Sequence, residues 1–181
     1  MRINTLHIDG FGVYHDRSIE TGAPLTVFYG PNESGKSTIL AFIRTVLYGF
    51  RSPTSSKCYP PLSVGQHGGR LVIADESGKL FTVERHIGSR GGQLVVRSNG
   101  KEISDGSTQL ETLCGNQPRT VFEKVMSFNL GELPNLLDRQ DEDITSEFYS
   151  AAIGANALQD AMKTLKKRSR VSTRQLARRD P

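Results

Sequence analysis

The sequence predicts a mixed α/β fold: a strand–loop–helix unit near the N-terminus, with an antiparallel β-subdomain inserted after it. Three observations predict it. Leu25-Thr26-Val27-Phe28-Tyr29 is an apolar, β-branched and aromatic run that reads as a buried strand. Directly behind it, Gly30-Pro31-Asn32-Glu33-Ser34-Gly35-Lys36-Ser37-Thr38 satisfies G-x-x-x-x-G-K-[ST], and Thr38 to Tyr48 sets Ile39, Leu40, Ile43, Leu47 and Tyr48 on one helical stripe. Further on, short strand-like runs alternate with turn sequences, the pattern of antiparallel hairpins.

Taken in order, Arg2 to Glu20 places Ile3, Leu6, Ile8, Phe11, Val13 and Ile19 among polar residues and predicts two strands, with turns at Asp9-Gly10 and around Asp16-Arg17. Arg51 to Gln66 is rich in Ser, Pro and Gly and predicts a loop. Arg70 to Ala74 and Leu80 to His86 flank the turn sequence Asp75-Glu76-Ser77-Gly78. Leu94 to Arg97 and Lys101 to Ile103 flank Asn99-Gly100, a strong type I′ hairpin signal. The β-subdomain therefore spans about residues 67–104, alongside the nucleotide-binding sheet. Ser107 to Leu113 and Arg119 to Lys124 read as short helices, and Val125 to Phe128 as a strand. Asp141 to Ile153 reads as a helix ending at Gly154. Leu158, Met162 and Leu165 begin a heptad-like spacing that fails at Ser169 and Ser172. This divides the chain into a lobe, 1–156, and a basic helical tail, 157–181.

The motif's spelling follows from its chemistry. Gly30 and Gly35 let the backbone curl so that N–H groups point inward at phosphate oxygens, and the helix N-terminus adds its unpaired N–H groups and partial positive charge. Gly30, Pro31, Asn32, Glu33, Ser34, Gly35, Lys36, Ser37 and Thr38 are thus the predicted nucleotide site, for ATP with Mg2+. Lys36 reaches the β- and γ-phosphates and contacts the transition state; Ser37 supplies its hydroxyl to the magnesium. The plain alternative is a glycine-rich capping turn that matches the motif by chance, against which the strand and helix flanks argue.

Composition bounds the rest. The net charge of +4 is concentrated in the tail: 23 Lys and Arg face 19 Asp and Glu overall, but eight basic residues and only two acidic ones fall between Asp160 and Pro181. The preceding residues carry a slight acidic excess, so they do not form a basic nucleic-acid-binding body. The two cysteines, Cys58 and Cys114, have no metal-ligand spacing, and His7, His15, His67 and His86 are scattered. The N-terminus lacks a signal peptide's apolar stretch, and no apolar run is long enough to span a membrane, so a reducing cytoplasm is the expected compartment.

Two segments imitate the rest of an ATPase. Leu71 to Ala74 before Asp75-Glu76 imitates a strand ending in the metal-binding acid, and Leu62-Ser63-Val64-Gly65-Gln66 imitates the signature that ABC-type ATPases offer across a dimer. Only His67 to Arg70 separate them, too few for the helix that must return along the sheet, so Asp75 and Glu76 are expected in a hairpin turn. A compact P-loop kinase or NTPase using Asp75, and a non-catalytic interaction module, remain the alternatives. The only candidates for a kinase lid, Arg85, Arg90 and Arg97, stand in strand-like or turn sequence.

Ile3 to Phe11, the loop Gly30 to Thr38, and Leu47-Tyr48-Gly49-Phe50 resemble the N-terminal head segment of SMC/SbcC/RecF-type ATPases, in particular YhaN-like AAA ATPases associated with DNA repair. Tyr59-Pro60-Pro61, His67 to Leu71, Val83-Glu84-Arg85 and Phe128 to Leu133 are in keeping with that group. The resemblance implies an ABC-like head split by a coiled coil, whose N-terminal half carries Walker A and whose C-terminal half carries the signature and Walker B. It further implies an ATP-sandwiched head-to-head dimer, action on DNA, and a metallophosphoesterase nuclease as partner. The catalytic acid would then lie outside this chain. Where the family has a Q-loop glutamine this sequence has Leu130, flanked by Asn129 and close to Glu132; Glu33 replaces a common glycine; Gly12 and Val13 stand where some relatives have a basic residue. Arg51 is a candidate phosphate or DNA contact. The tail from Lys166 to Arg179 either contacts DNA phosphates or is a solvated helix end.

Overall fold

The computed structural model describes residues 1–52, 54–55 and 58–127. The helix expected at 141–153, the tail, and Leu130 with its neighbours lie outside them. The chain divides into two units, Met1–Arg119 and Thr120–Pro181.

In the first unit β1 (Arg2–Phe11), β2 (Tyr14–Glu20), β3 (Gly68–Ala74), β4 (Leu80–His86), β5 (Gln93–Ser98) and β6 (Lys101–Glu102) form one antiparallel sheet in the order β2-β1-β3-β4-β5-β6. The strands between residues 67 and 104 therefore extend the N-terminal hairpin rather than forming a second sheet beside it. The helix α1 (Lys36–Tyr48) packs against β1, β3 and β4, and α2 (Gly106–Leu113) against β5. Register explains the core. Leu6, Leu71, Val83 and Val96 stand opposite one another across four strands and are fully buried. Phe42 and Val46 of α1 close over the sheet and are equally buried. The outer face is polar, as expected of an antiparallel sheet covered on one side: Arg97 Nη1 meets Glu84 Oε2 at 2.6 Å, and Thr5 Oγ1 donates to Glu20 at 3.0 Å.

The turns fall where side chains can hold them. β1 runs straight through Asp9-Gly10, where a turn was expected; the chain reverses at Gly12-Val13 instead. Asp9 is taken up as a register irregularity between Ile8 and Gly10, and its carboxylate lies 2.8 Å from His86 Nε2. Asn99 and Gly100 both have positive φ, as a type I′ hairpin demands. Asp105 caps α2, its carboxylate accepting from the Thr108 N–H at 3.1 Å. The C-terminal carbonyls of α1 are met by arginines: Arg85 Nε donates to Val46 O at 2.9 Å, and Arg119 Nη1 to Tyr48 O and Gly49 O.

Two expected strands also fail to form as read. Leu25 to Tyr29 is not a buried strand: it has no regular structure, and Leu25, Val27 and Tyr29 are 79%, 77% and 99% exposed. Its composition suits a strand, but among the described residues no strand lies beside it to complete its hydrogen bonds. The strand expected at Val125 to Phe128 does not form over its described residues, 125–127. In the second unit Phe122–Met126 is a π-helical turn that continues α3 (Arg119–Val121), and the Ser127 hydroxyl donates to Phe122 O. No helix among the described residues is long and apolar enough to cross a membrane, and Cys58 and Cys114 are free.

Phe11 ends β1 as the centre of an aromatic cluster. Its ring lies 5.5 Å from Phe42 edge-on, 5.6 Å from Tyr59 stacked, and 5.5 Å from His67, which meets Phe50 at 4.7 Å. We expect Phe11→Ala to destabilise the protein by about 3–5 kcal/mol, read from urea unfolding. Burial pushes the His67 pKa down, against hydrogen bonds to the backbone of Cys58 and Tyr59. The folded state therefore takes up this proton later than the unfolded chain, and stability falls as the pH drops below about 6.5. His67→Phe is expected to flatten that slope, measured as the wild-type-minus-variant difference in urea midpoint between about pH 7.5 and pH 5.

Candidate phosphate-binding site

The loop from Gly30 to Gly35 leads directly into α1, which begins at Lys36. Gly35 is the N-cap, in the left-handed region at φ 90°, ψ 6°, and offers no capping side chain. A Cβ there would lie 2.7 Å from Tyr14 Oη as well as being strained, so only glycine fits. Among the described residues the only backbone bond closing the loop is Ser34 N–H to Pro31 O, at 3.3 Å. Among the described residues the N–H groups of Gly35, Lys36 and Ser37 have no acceptor, leaving a set of donors at the positive end of the helix.

Lys36 bends back over this loop. Its ammonium donates to Gly30 O at 2.8 Å, Pro31 O at 2.7 Å and Ser34 Oγ at 3.3 Å. The cation is thus already held at the mouth of this donor set, on carbonyls that a phosphate oxygen can replace. Ser37 is exposed, with no hydrogen bond on its hydroxyl among the described residues, so it can ligate a cation from the solvent side. Thr38 faces inward and is buried, against the β1–β2 turn; a Cβ on Gly12 would lie 2.9 Å from its methyl group. Asn32 and Glu33 are exposed, Glu33 with φ 66° at the crest of the loop.

Neighbouring elements hold the loop from outside. Gly12 N–H donates to Tyr59 O and Leu62 N–H to Gly12 O, both at 3.0 Å, tying the 59–62 segment to the hairpin that touches Thr38. Tyr14 Oη donates to Ser34 O at 3.3 Å. The sequence reading missed Tyr14: the contact spans twenty residues, and no local pattern marks it. The donor set (backbone N–H groups, one ammonium, one free hydroxyl) fits a phosphate chain with a hard cation, and the glycine positions leave the space for it.

Asp75 lies elsewhere. Its carboxylate accepts from the Ser77 hydroxyl at 2.7 Å and from the N–H groups of Ser77 and Lys79 at 2.9 Å, closing the β3–β4 turn. The Ser77 hydroxyl foremost, with those N–H groups, holds its pKa below the ordinary carboxylate range. The neighbouring Ala74 pairs with Arg2, at the opposite end of β1 from the turn that touches Thr38. At about 3.3 Å per residue, β1 puts roughly 30 Å between these ends. Glu76 sits in the same turn. Leu62 to Gln66 is an exposed loop and opens no helix. Of the lid candidates, Arg85 is buried in β4, Arg97 pairs with Glu84 and Arg90 sits in a 3₁₀ turn; Arg51 is half-buried. Among the described residues no group of three His, Cys, Asp or Glu side chains could hold a metal.

A family model described as an AAA domain matches residues 1–180. The chain belongs to this AAA-domain family. It is 30% identical over 172 residues to the uncharacterized protein YhaN of Bacillus subtilis, covering 93% of this chain and 17% of that protein. It is 32% identical over 115 residues to the DNA replication and repair protein RecF of Shewanella loihica, covering 62% of this chain and 31% of that one. The RecF protein of a Cyanothece species is 30% identical over 101 residues, with 56% and 24% covered. The AAA-domain chain thus spans a minor part of each of these relatives. Its mixed α/β fold with an antiparallel sheet carries the P-loop sequence between β2 and α1.

Because Asp75 is bound into its own turn, Asp75→Ala should leave ATP affinity within about twofold of wild type in calorimetric titration, while lowering the urea midpoint slightly.

Proposed function

We propose that this AAA-domain chain is the ATP- and magnesium-binding N-terminal half of an SMC-like ATPase head, working in DNA repair or DNA end processing. The observation that carries the reading is the segment entering the phosphate loop. Leu25 to Tyr29 has the composition of a buried central strand yet stands exposed, immediately before Gly30. Such a strand needs neighbours on both sides, and a second half supplying them would bring its own acidic residues to the loop. The small share of YhaN and RecF that the chain covers leaves room for that half in a parent protein. The name of RecF supports a role on DNA.

On this reading Gly30 to Thr38 holds the nucleotide. The N–H groups of Gly35 to Ser37 receive phosphate oxygens, Lys36 exchanges its carbonyl contacts for phosphate, and Ser37 holds magnesium. The magnesium neutralises phosphate charge when bound. The metal-binding aspartate and the base that orients water belong to the second half, since Asp75 and Glu76 stand far off at the other end of β1. Residues 1–156 form the lobe and 157–181 the start of a coiled coil. ATP draws two completed heads together, with DNA and a metallophosphoesterase nuclease as partners.

In calorimetry, this chain should bind Mg-ATP and Lys36→Ala should weaken binding by at least about tenfold, the loss of a charge-assisted contact. In a turnover assay the chain alone should hydrolyse nothing above background, and the full parent protein should. Unchanged affinity in Lys36→Ala refutes the site; turnover by the chain alone refutes the half-head.

A further inference from the structure

At the end of α1 opposite the phosphate loop lies a pocket of about 200 Å3, walled by Leu47 of α1, Leu94 of β5 and Leu110 of α2. Arg85 enters it from β4 with 8% of its surface exposed. Its Nε donates to Val46 O at 2.9 Å, and that is its one hydrogen bond among the described residues. Among the described residues the four N–H bonds on its two terminal nitrogens have no acceptor, and no carboxylate forms an ion pair with it. The larger charge that acts on it is of like sign, Arg119, bound to the same helix end, while Cys114 on the pocket wall acts weakly the other way. Burial first, and then Arg119, lower its pKa to about 10, so it remains a cation at neutral pH. The donor fork of this largely buried guanidinium opens into the pocket and matches the two oxygens of an oxyanion.

The rest of the lining narrows the ligand. Glu111 stands on the pocket wall without pairing with Arg85, and its carboxylate repels a dianion more strongly than a monoanion. The three leucines favour a ligand with an apolar body. We propose that this pocket binds an organic monocarboxylate, its carboxylate held by the Arg85 fork and its apolar body lying on Leu47, Leu94 and Leu110. The carboxylate can belong to a free acid or to an acidic side chain on a polypeptide. The site goes beyond the nucleotide-binding reading and does not depend on it.

The test is an NMR titration of the whole chain without nucleotide, following the amides of Arg85, Leu94 and Leu110. Butyrate and N-acetyl-glutamate N-methylamide represent the two sources, with butyramide and inorganic phosphate as controls. We expect saturable shifts at these amides with one or both carboxylates, the tighter ligand assigning the source, and none with butyramide. Arg85→Met should weaken binding by about tenfold, the loss of a bidentate charge-assisted pair. Because that variant also removes a cap from α1, Glu111→Gln is the independent check: it alters only an exposed side chain and should tighten binding about threefold by removing a like charge. Absence of saturation, tighter binding of phosphate, equal binding of butyramide, or unchanged or weakened binding in Glu111→Gln would each overturn the proposal.

Discussion

The ring of Phe11 fixes where the phosphate loop can be. It ends β1, packs edge-on against Phe42 in the middle of α1, and stacks on Tyr59 from the long connection. One fully buried side chain thereby joins the sheet, the helix and the loop segment that hydrogen-bonds Gly12. Because interiors are close-packed, the position of α1 on the sheet is set to within side-chain dimensions. The loop at its N-terminus inherits that position. Contacts from Tyr14 and Gly12 then adjust the loop against the hairpin rather than against solvent.

The helix is held at both ends by different means. At its start the donors are left open, with only the Lys36 ammonium folded over the loop carbonyls. At its end the carbonyls of Val46, Tyr48 and Gly49 are covered by Arg85 and Arg119. A helix whose negative end is satisfied and whose positive end is bare is arranged to receive an anion at that bare end. The same arginine that caps the far end presents its remaining donors to a pocket, so two anion-facing features share one helix.

Much of this was legible in the sequence. Period-two alternation and turn chemistry located both later hairpins, since Asp75 and Asn99-Gly100 act within a few residues of themselves. The G-x-x-x-x-G-K-[ST] spacing located the loop and the helix behind it for the same reason. The turn in the first hairpin was misread, because Asp9-Gly10 is turn-like in isolation and only pairing with β3 and His86 keeps it in the strand. The described part of the run from Val125, residues 125–127, was misread likewise: a β-branched, apolar run is ambiguous until its neighbours are known.

The sequence by itself determined which residues are the candidates to meet phosphate, because the spelling of that loop lies in nine consecutive positions whose backbone acts locally. Tertiary structure alone decided that Leu25 to Tyr29 stands exposed, that Asp75 lies a strand's length from Ser37, and that Arg85 turns inward under α1. Strand pairing, separation and burial depend on residues far apart in the chain, and no local pattern carries them.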